Sequence, residues 1–309
     1  MKIIANTLDI QVNRNTAVAI GKFDGLHVGH RKLLTLITEQ KNRGLAPCVF
    51  TFDPSPAVLF GLSDGKELMT REEKRRAFEH LGVEILVEFP LTPETAAMAP
   101  EVFVKEILVK QLQTRYVAAG EDVSFGRCGK GNALLLKQLG NVYGYEVETI
   151  EKLKLYGREV SSTYVRSQVE AGEMERVTKL LGTPYTVSGS VCHGARLGRT
   201  LGMPTVNLLP PATKQLPPFG VYFSRVRHGD HVYAGISNIG CKPTVTDAGQ
   251  IGVETYLYDF DAEIYGEEIT VELLSFRRPE QRFPDVEALK AQVQRDIAAG
   301  RAYTEGHCV

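Results

Sequence analysis

The feature that most constrains the fold of this chain is a change in its hydrophobic pattern near residue 182. Before it, short apolar runs alternate with amphipathic segments in which apolar residues recur every three or four positions. After it, apolar β-rich runs are broken by Gly, Pro and Asp. Short buried runs are typical of strands, and the longer period is typical of helices. Two different architectures are therefore expected in one chain.

In the first half, predicted strands alternate with predicted helices. The strands fall at 17–20, 47–52, 84–89, 115–119 and 145–150, and the helices at 30–43, 71–81, 101–113 and 131–139. Such alternation indicates a mostly parallel, Rossmann-like α/β sheet with helices on both faces. Ligands bind such sheets beyond the carboxyl ends of the strands.

In the second half, the β-rich runs fall at 185–191, 220–227, 231–238, 251–260 and 268–276, followed by an amphipathic helix at 284–299. The stretch at 226–232 is typical of a tight hairpin. We expect an antiparallel β-barrel with a C-terminal helix. Two short helical stretches at 164–171 and 174–181 precede it, and we place the domain boundary between Thr183 and Pro184, giving domains 1–183 and 184–309.

Composition narrows the function. The chain has 309 residues, with 36 Lys plus Arg against 37 Asp plus Glu, so no nucleic-acid partner is expected. No apolar run is long enough to span a membrane, and the start has no secretory pattern. The five cysteines include no CxxC pair, which argues against a disulfide framework or a zinc site and favours the cytoplasm.

The strongest local signal is GKFDGLHVGH at 21–30, between a predicted strand and a predicted helix. The N–H groups at a helix N-terminus favour phosphate. Gly21, Gly25 and Gly29 allow a tight turn and a close approach to a ligand. His27 and His30 are three residues apart and share a face if the turn is helical. Two imidazoles there can donate hydrogen bonds to charge that develops on a phosphate.

Three further stretches fit the same domain. The sequence SSTYVR at 161–166 places hydroxyls at a helix start and Arg166 within one turn, where it can pair with phosphate oxygens. The stretches TFDPSP at 51–56 and GEDVSFG at 120–126 each follow a predicted strand. Both therefore lie at the ligand-binding edge of the predicted sheet.

The segment at 21–30 resembles the HxGH signature of the nucleotidyltransferase superfamily, and VSSTYVR resembles its ISSTxxR-like motif. Together the motifs resemble the adenylyltransferase module of bacterial bifunctional FAD synthetases. The resemblance implies a catalytic role for His27, His30 and Arg166. It implies ATP and phosphate contacts from Gly21, Phe23, Asp24, Gly25, Gly29, Ser161, Ser162 and Thr163. It implies flavin-side contacts from Asp53, Pro54, Asp122 and Phe125, although Val123 and Ser124 depart from the family pattern.

The second half contains a Gly- and Arg-rich stretch, GARLGRTLGMPTVN at 194–207. It is not a Walker loop, but it can form a cationic phosphate loop. Thr205 and Asn207 are two residues apart, so on a strand they face the same side. Their oxygens are of the hard type that Mg²⁺ prefers.

The stretches GRTLGMPTVN, GISNIGCKPT, VET and RPEQRF, in this order, resemble the riboflavin kinase domain. The resemblance implies Thr205 and Asn207 as ligands of the Mg²⁺ that accompanies ATP, and Glu254 as the base for the ribityl hydroxyl. It implies a flavin-side contact from Arg278. It implies ATP contacts from Gly194, Arg196, Gly198, Arg199, Gly202 and Asn238. Met203, Val206 and Tyr256 depart from the family pattern without removing a ligand or the base.

The sequence thus predicts a bifunctional transferase with riboflavin, FMN, FAD and ATP as its small-molecule partners. The resemblance implies that the C-terminal domain phosphorylates riboflavin and that the N-terminal domain transfers AMP from ATP to FMN. Three alternatives stay open at this point: a chain with one live activity, a flavin-binding regulator without turnover, and a transferase using CTP or a pantetheine phosphate. The oligomeric state is also open.

Overall fold

The computed structural model describes residues 1–194, 203–242 and 250–307. By its internal contacts the chain divides into two compact units, Met1–Ser162 and Thr163–Val309. The boundary expected between Thr183 and Pro184 stays a prediction.

The first unit is built on a parallel six-stranded sheet in the order β1-β4-β3-β2-β5-β6. The strands are β1 (Lys2–Ala5), β2 (Thr16–Ile20), β3 (Ala46–Asp53), β4 (Ile85–Pro90), β5 (Thr114–Gly120) and β6 (Glu146–Ile150), with a small hairpin of β7 (Lys154–Leu155) and β8 (Arg158–Glu159). The predicted parallel sheet is confirmed. The sequence interpretation missed β1, a four-residue strand beside β4.

The helices of this unit lie on both faces of the sheet. They are α1 (Val28–Glu39), α2 (Pro56–Leu59), α3 (Arg71–His80), α4 (Pro93–Ala96), α5 (Pro100–Val102) and α6 (Ala133–Tyr143). The predicted helix at 101–113 forms wider π-type turns over Phe103–Gln111. Strand β2 is fully buried, with Val18 and Ile20 packed in one hydrophobic core and Ala17 and Ala19 in the other.

The second unit contains an antiparallel six-stranded sheet in the order β10-β13-β12-β11-β14-β9. Its elements are β9 (Tyr185–Ser190), β10 (Thr205–Leu208), β11 (Gly220–His228), β12 (His231–Lys242), β13 (Gln250–Leu257), β14 (Glu268–Pro279) and the helices α7 (Ser162–Glu170), α8 (Met174–Leu181) and α9 (Val286–His307). Cys192, just after β9, forms a bridge with Asn207 of β10, so the sheet curls toward closure. The predicted antiparallel barrel with a C-terminal helix is confirmed, as is the hairpin between β11 and β12.

Helix α9 is longer than the predicted helix at 284–299. It continues through Gly300, although glycine commonly ends a helix. A Cβ at Gly300 would lie 2.2 Å from the Tyr258 hydroxyl, so the glycine here allows the helix to pack closely on the sheet. Within the described ranges, none of the helices combines the length and apolarity needed to cross a bilayer.

Candidate active sites

The loop between β2 and α1 has an unusual backbone. Phe23, Gly25 and Leu26 have positive φ angles of 50°, 82° and 47°. Non-glycine residues rarely adopt this conformation, and it persists only where the surroundings enforce it. The side chains of Phe23 and Leu26 are 0% and 1% exposed. Burial of these two side chains therefore fixes the loop that leads to His27.

His27 is the N-terminal cap of α1. Its Nδ1 accepts a hydrogen bond from the backbone N–H of His30 at 3.3 Å. In the neutral ring the proton is therefore on Nε2. The two imidazoles stack with their centroids 3.7 Å apart and their planes inclined by 15°. A Cβ at Gly29 would lie 3.3 Å from the His27 ring, so Gly29 leaves the space that this ring occupies.

Both histidines are held in the neutral form. Burial lowers the pKa of His27 to about 4, although the negative charges of Asp24 and Asp122 partly oppose the shift. Burial also places the pKa of His30 well below its ordinary value, and His27 adds to the effect. The Nδ1 atom of His30 is buried and has no hydrogen-bond partner among the described residues. The pair therefore acts as neutral polar groups rather than as cations near pH 7.

Two of the predicted phosphate-binding residues, Ser162 and Asp24, form hydrogen bonds within the protein. The hydroxyl of Ser162, the last residue of the first unit, donates to the backbone carbonyl of Asp24 at 2.9 Å. The Asp24 carboxylate accepts from the backbone N–H of Leu68 at 2.9 Å and thereby braces the loop. Ser161 is half-buried and Thr163 is exposed.

Arg166 lies one turn along α7, in the second unit, and is half-buried. Gly21 packs against the Phe23 ring, where an added Cβ would lie 3.1 Å from the nearest ring atom. Gly21 therefore has a packing role inside the loop that its motif did not reveal.

Two of the four predicted flavin-side residues, Asp53 and Asp122, have a cationic neighbour within the protein. Asp53, which precedes a cis bond to Pro54, is ion-paired with Arg71. Asp122 lies 3.3 Å from the Lys152 ammonium group. A cavity in the first unit is lined by Phe52 and Phe125. Among the described residues that line it, Asp53, Pro54 and Asp122 are absent.

Phe125 does line that cavity, which has a volume of about 430 Å³. Its ring is 3% exposed and packs on Phe103 with centroids 5.5 Å apart. The other aromatic lining residues are Phe52, Phe60, Phe89 and Phe103. Phe52 and Phe125 lie inside the stretches singled out at 51–56 and 120–126, whereas Phe60, Phe89 and Phe103 belong to no motif. Phe52 and Phe89 lie at the carboxyl ends of β3 and β4, and Phe125 follows β5, at the edge of the sheet where ligands are expected.

In the second unit, the strand register places the predicted site residues in one row across the sheet. Asn207 of β10 pairs with Glu254 of β13, which pairs with Asn238 of β12. Asn238 pairs with Val221 of β11, which pairs with Arg278 of β14. Directly opposite residues on antiparallel strands share a face. Four of the predicted residues therefore lie on one face of the sheet, although they come from four different strands.

Thr205 lies on the same face, two residues before Asn207. Its hydroxyl donates to Oε1 of Glu254 at 2.6 Å. Thr205 lines two cavities, one of about 630 Å³ and one of about 370 Å³. The larger one also contains Glu254, Asn238 and Arg278. The Thr205–Glu254 pair therefore lies beside the boundary between two separate binding spaces.

The larger cavity has the sheet as its floor, and its walls come from residues 280–283 and from α9, including Leu289 and Val293. The smaller cavity is lined by Val191, Pro204, Thr205, Val206 and Leu257 and by residues 260–265. Sequence reasoning missed the contribution of α9, because its cavity residues carry no motif.

Two of the predicted ATP-binding residues, Asn238 and Gly194, lie close to other residues of the protein. The Asn238 amide donates to Oε1 of Glu280 at 3.2 Å. A Cβ at Gly194 would lie 2.5 Å from the Asn207 amide nitrogen, so this glycine lets the backbone approach that side chain. The predicted ATP-binding residues Arg196, Gly198, Arg199 and Gly202 lie outside the described residues.

The chain matches two protein-family models, one described as FAD synthetase over residues 9–164 and one described as riboflavin kinase over residues 181–304. A bifunctional riboflavin kinase/FMN adenylyltransferase from Listeria monocytogenes is 35% identical over 300 residues, covering 96% of this chain and 95% of the relative. Proteins with the same description are 36% identical in Escherichia coli, covering 93% of this chain and 92% of the relative, and 33% identical in Bacillus subtilis, covering 91% and 90%.

A crystal structure from Streptococcus pneumoniae, titled as a macrolide-efflux protein, has a TM-score of 0.84 and 29% identity, covering 95% of this chain and 96% of that one. Its title differs from the descriptions of the two family models and from the description that the three relatives share. Its fold, however, matches along nearly the whole chain.

A parallel-sheet unit that matches an FAD synthetase, joined to a barrel that matches a riboflavin kinase, defines a two-domain transferase that acts on flavins and ATP. The chain belongs to the family of bifunctional riboflavin kinase/FMN adenylyltransferases. The resemblance noted from the sequence motifs is thereby confirmed.

Proposed function

We propose that this chain converts riboflavin to FMN at the face of the antiparallel sheet and converts FMN to FAD at the loop between β2 and α1. The observation that carries the kinase assignment is the hydrogen bond from Thr205 to Glu254, beside the boundary between two cavities. Phosphoryl transfer needs a donor and an acceptor in adjoining spaces, with a proton acceptor between them.

In the kinase reaction, riboflavin occupies the larger cavity and the nucleotide occupies the smaller one. Glu254 accepts the proton of the terminal ribityl hydroxyl as that oxygen forms a bond to the γ-phosphorus of ATP, and ADP leaves. The Thr205 hydroxyl, by donating to Glu254, orients this carboxylate. A positioned base of this kind typically contributes 10²–10⁴ in rate.

The donor set near Glu254 fits Mg²⁺. The Thr205 hydroxyl gives its hydrogen to Glu254 and keeps oxygen lone pairs available, and the Asn207 amide oxygen belongs to the row beside it. Among the described residues there is no group of three His, Cys, Asp or Glu that would suit a transition metal. Mg²⁺ usually takes few protein ligands and completes its shell with water and phosphate oxygens. When bound, it would neutralise negative charge on the phosphates.

In the adenylyltransferase reaction, a phosphate oxygen of FMN forms a bond to the α-phosphorus of ATP, and pyrophosphate leaves. The FMN phosphate is already ionised, so no general base is needed. The neutral imidazole of His27 carries its proton on Nε2 and donates from there to phosphate oxygens. His30 is assigned to the same charge stabilisation.

The FMN ring is assigned to the cavity of about 430 Å³, since Phe52, Phe60 and Phe125 give it an apolar and aromatic lining. Aromatic rings pack favourably on a planar heterocycle. The two reactions are placed in the cytoplasm, because an odd number of cysteines without CxxC spacing is typical of a reducing compartment.

The direct test incubates the full-length protein with riboflavin, ATP and Mg²⁺ and separates riboflavin, FMN and FAD over time. FMN should appear first and FAD later. Supplied FMN should yield FAD without riboflavin. Tight flavin binding without any product would instead identify a flavin-binding regulator, and a single product would identify one live activity.

A further inference from the structure

We propose that Asp296 is a positioning residue of the kinase site, which holds the Arg278 guanidinium at the cavity wall and thereby supports riboflavin binding. The proposal rests on the proposed function, since it concerns the substrate of that site. Asp296 lies on α9, is 1% exposed and lines the larger cavity. It belongs to no motif that the sequence revealed.

The Asp296 carboxylate joins α9 to β14. Its Oδ2 accepts from Nε of Arg278 at 2.8 Å, and Nη2 of the same residue lies 2.8 Å from that oxygen. Its Oδ1 accepts from the Gln292 amide at 3.1 Å and lies 3.5 Å from Nε of Arg277. A carboxylate this deeply buried is stable only with such partners. Both oxygens are therefore committed to holding neighbouring side chains.

These contacts leave part of Arg278 available. Its Nη1 also donates to the backbone carbonyl of Pro279 at 3.1 Å. A guanidinium has five N–H donors, so at least two have no partner among the described residues. Arg278 lines the cavity with its side chain only 14% exposed. Its remaining donors are complementary to the ring carbonyl oxygens of a flavin.

Without Asp296, this partly buried guanidinium would lose its counter-ion. A buried charge without a partner turns toward solvent where it can. Arg278 would then leave the orientation in which its free donors face the cavity. Because the flavin ring does not take part in bond making at the ribityl terminus, such a loss weakens substrate binding and leaves the chemical step unchanged. Loss of uniform binding raises KM without lowering kcat.

The test compares the full-length protein with Asp296→Asn, a substitution that keeps the volume and removes the charge. We expect KM for riboflavin to rise about tenfold, the usual effect of a hydrogen bond to a charged group. Riboflavin affinity measured by fluorescence quenching should fall equally, while kcat and KM for ATP stay within about twofold. The matched control is Asp259→Asn, which breaks another ion pair of α9, to Arg301, on the exposed side. The control should lower thermal stability without changing KM for riboflavin.

A double variant separates positioning from general support of the fold. If Asp296 acts through Arg278, then Arg278→Gln combined with Asp296→Asn should have the same KM for riboflavin as Arg278→Gln alone. Additive effects would overturn the proposal, as would an unchanged KM in Asp296→Asn. If Asp296→Asn does not fold, Gln292→Ala replaces it in the test. The KM for riboflavin of this variant is expected to rise a few-fold. An unchanged KM for riboflavin would overturn the proposal. An unmutated protein that forms no FMN would instead refute the proposed function itself.

Discussion

The imidazole rings of His27 and His30 lie face to face, 3.7 Å apart. This spacing is too close for two cations in a buried site, because like charges there repel strongly. The stacking is therefore compatible with catalysis only by neutral rings. The lowered pKa values of both groups have the same cause, since burial removes the water that would stabilise their charged forms.

Replacement of His30 by Ala should abolish most FAD formation and leave FMN formation intact. The side chain stacks on His27 in the first unit, whereas the kinase row lies in the second. Loss of one charge-stabilising donor typically costs about 10²–10³ in rate. Both products are measured by chromatography, with riboflavin or FMN as the starting flavin. The control is His80→Ala, which removes an exposed histidine of α3 and should change neither rate. Equal loss of both products in a folded His30→Ala protein would refute the assignment of separate sites.

Lowering the pH from 7.5 to 5 should destabilise the folded protein through these histidines. The pKa of an unfolded histidine is about 6.5, whereas the pKa of His27 in the fold is lowered to about 4. Between these values the unfolded chain binds more protons, so the free energy of unfolding falls as the pH falls. The stabilisation is complete above the unfolded pKa and is lost toward the folded one.

The measurement is the thermal unfolding midpoint at several pH values for the unmutated protein and for His27→Gln. The variant lacks this titrating group and should lose less stability on acidification. If both proteins lose the same amount, the pH dependence belongs to other residues.

Replacement of Glu254 by Gln should have the opposite effect on the two products. Glutamine keeps the shape and can still accept the Thr205 hydrogen bond, but it cannot take up a proton. Riboflavin phosphorylation should fall by about 10²–10⁴, and supplied FMN should still become FAD at a normal rate. The exposed Glu287, changed to Gln, provides a control in the same unit. Near-normal phosphorylation by Glu254→Gln would exclude this residue as the base.

A fragment covering residues 163–309 should phosphorylate riboflavin and make no FAD. It contains the whole second compact unit, including α8, whose Met174, Val177 and Leu180 are fully buried. A fragment starting at residue 184 should have the same activity but a lower unfolding midpoint, because it lacks these three apolar side chains. Circular dichroism and an FMN assay test both fragments. A folded 163–309 fragment without FMN formation would show that the kinase site needs the first unit.

The sequence predicted the fold well where one local pattern decided the outcome. The alternation of periods identified the parallel sheet, and Gly229-Asp230 identified the hairpin between β11 and β12. Strand β1 was missed because four residues at a sheet edge give too short a pattern. The extension of α9 was missed because the role of Gly300 depends on its contact with Tyr258.

The candidate sites were predictable only as far as motifs reach. Motifs indicated His27, His30, Thr205 and Glu254. They did not indicate that the two histidines stack, which depends on a loop with positive φ angles, or that Thr205 donates to Glu254, which depends on strand register. The role of Asp296 could not be predicted, because its partner Arg278 belongs to another element and neither residue indicates the other. The motif residues Asp53 and Asp122 were predicted to contact the flavin, but the motif did not indicate their neighbours in the fold. Asp53 pairs with Arg71, and Asp122 lies beside Lys152.

The row of residues from Asn207 to Arg278 also has a consequence for how the kinase site forms while the protein is synthesised. During synthesis the chain emerges from its N-terminus, and contacts between distant residues form slowly. No hairpin within the barrel brings the whole row together, because its last member comes from β14 and the covering helix follows later still. A nascent or half-folded barrel therefore has no complete kinase site. The time at which FMN formation begins during refolding can therefore report when the folding of this unit is complete.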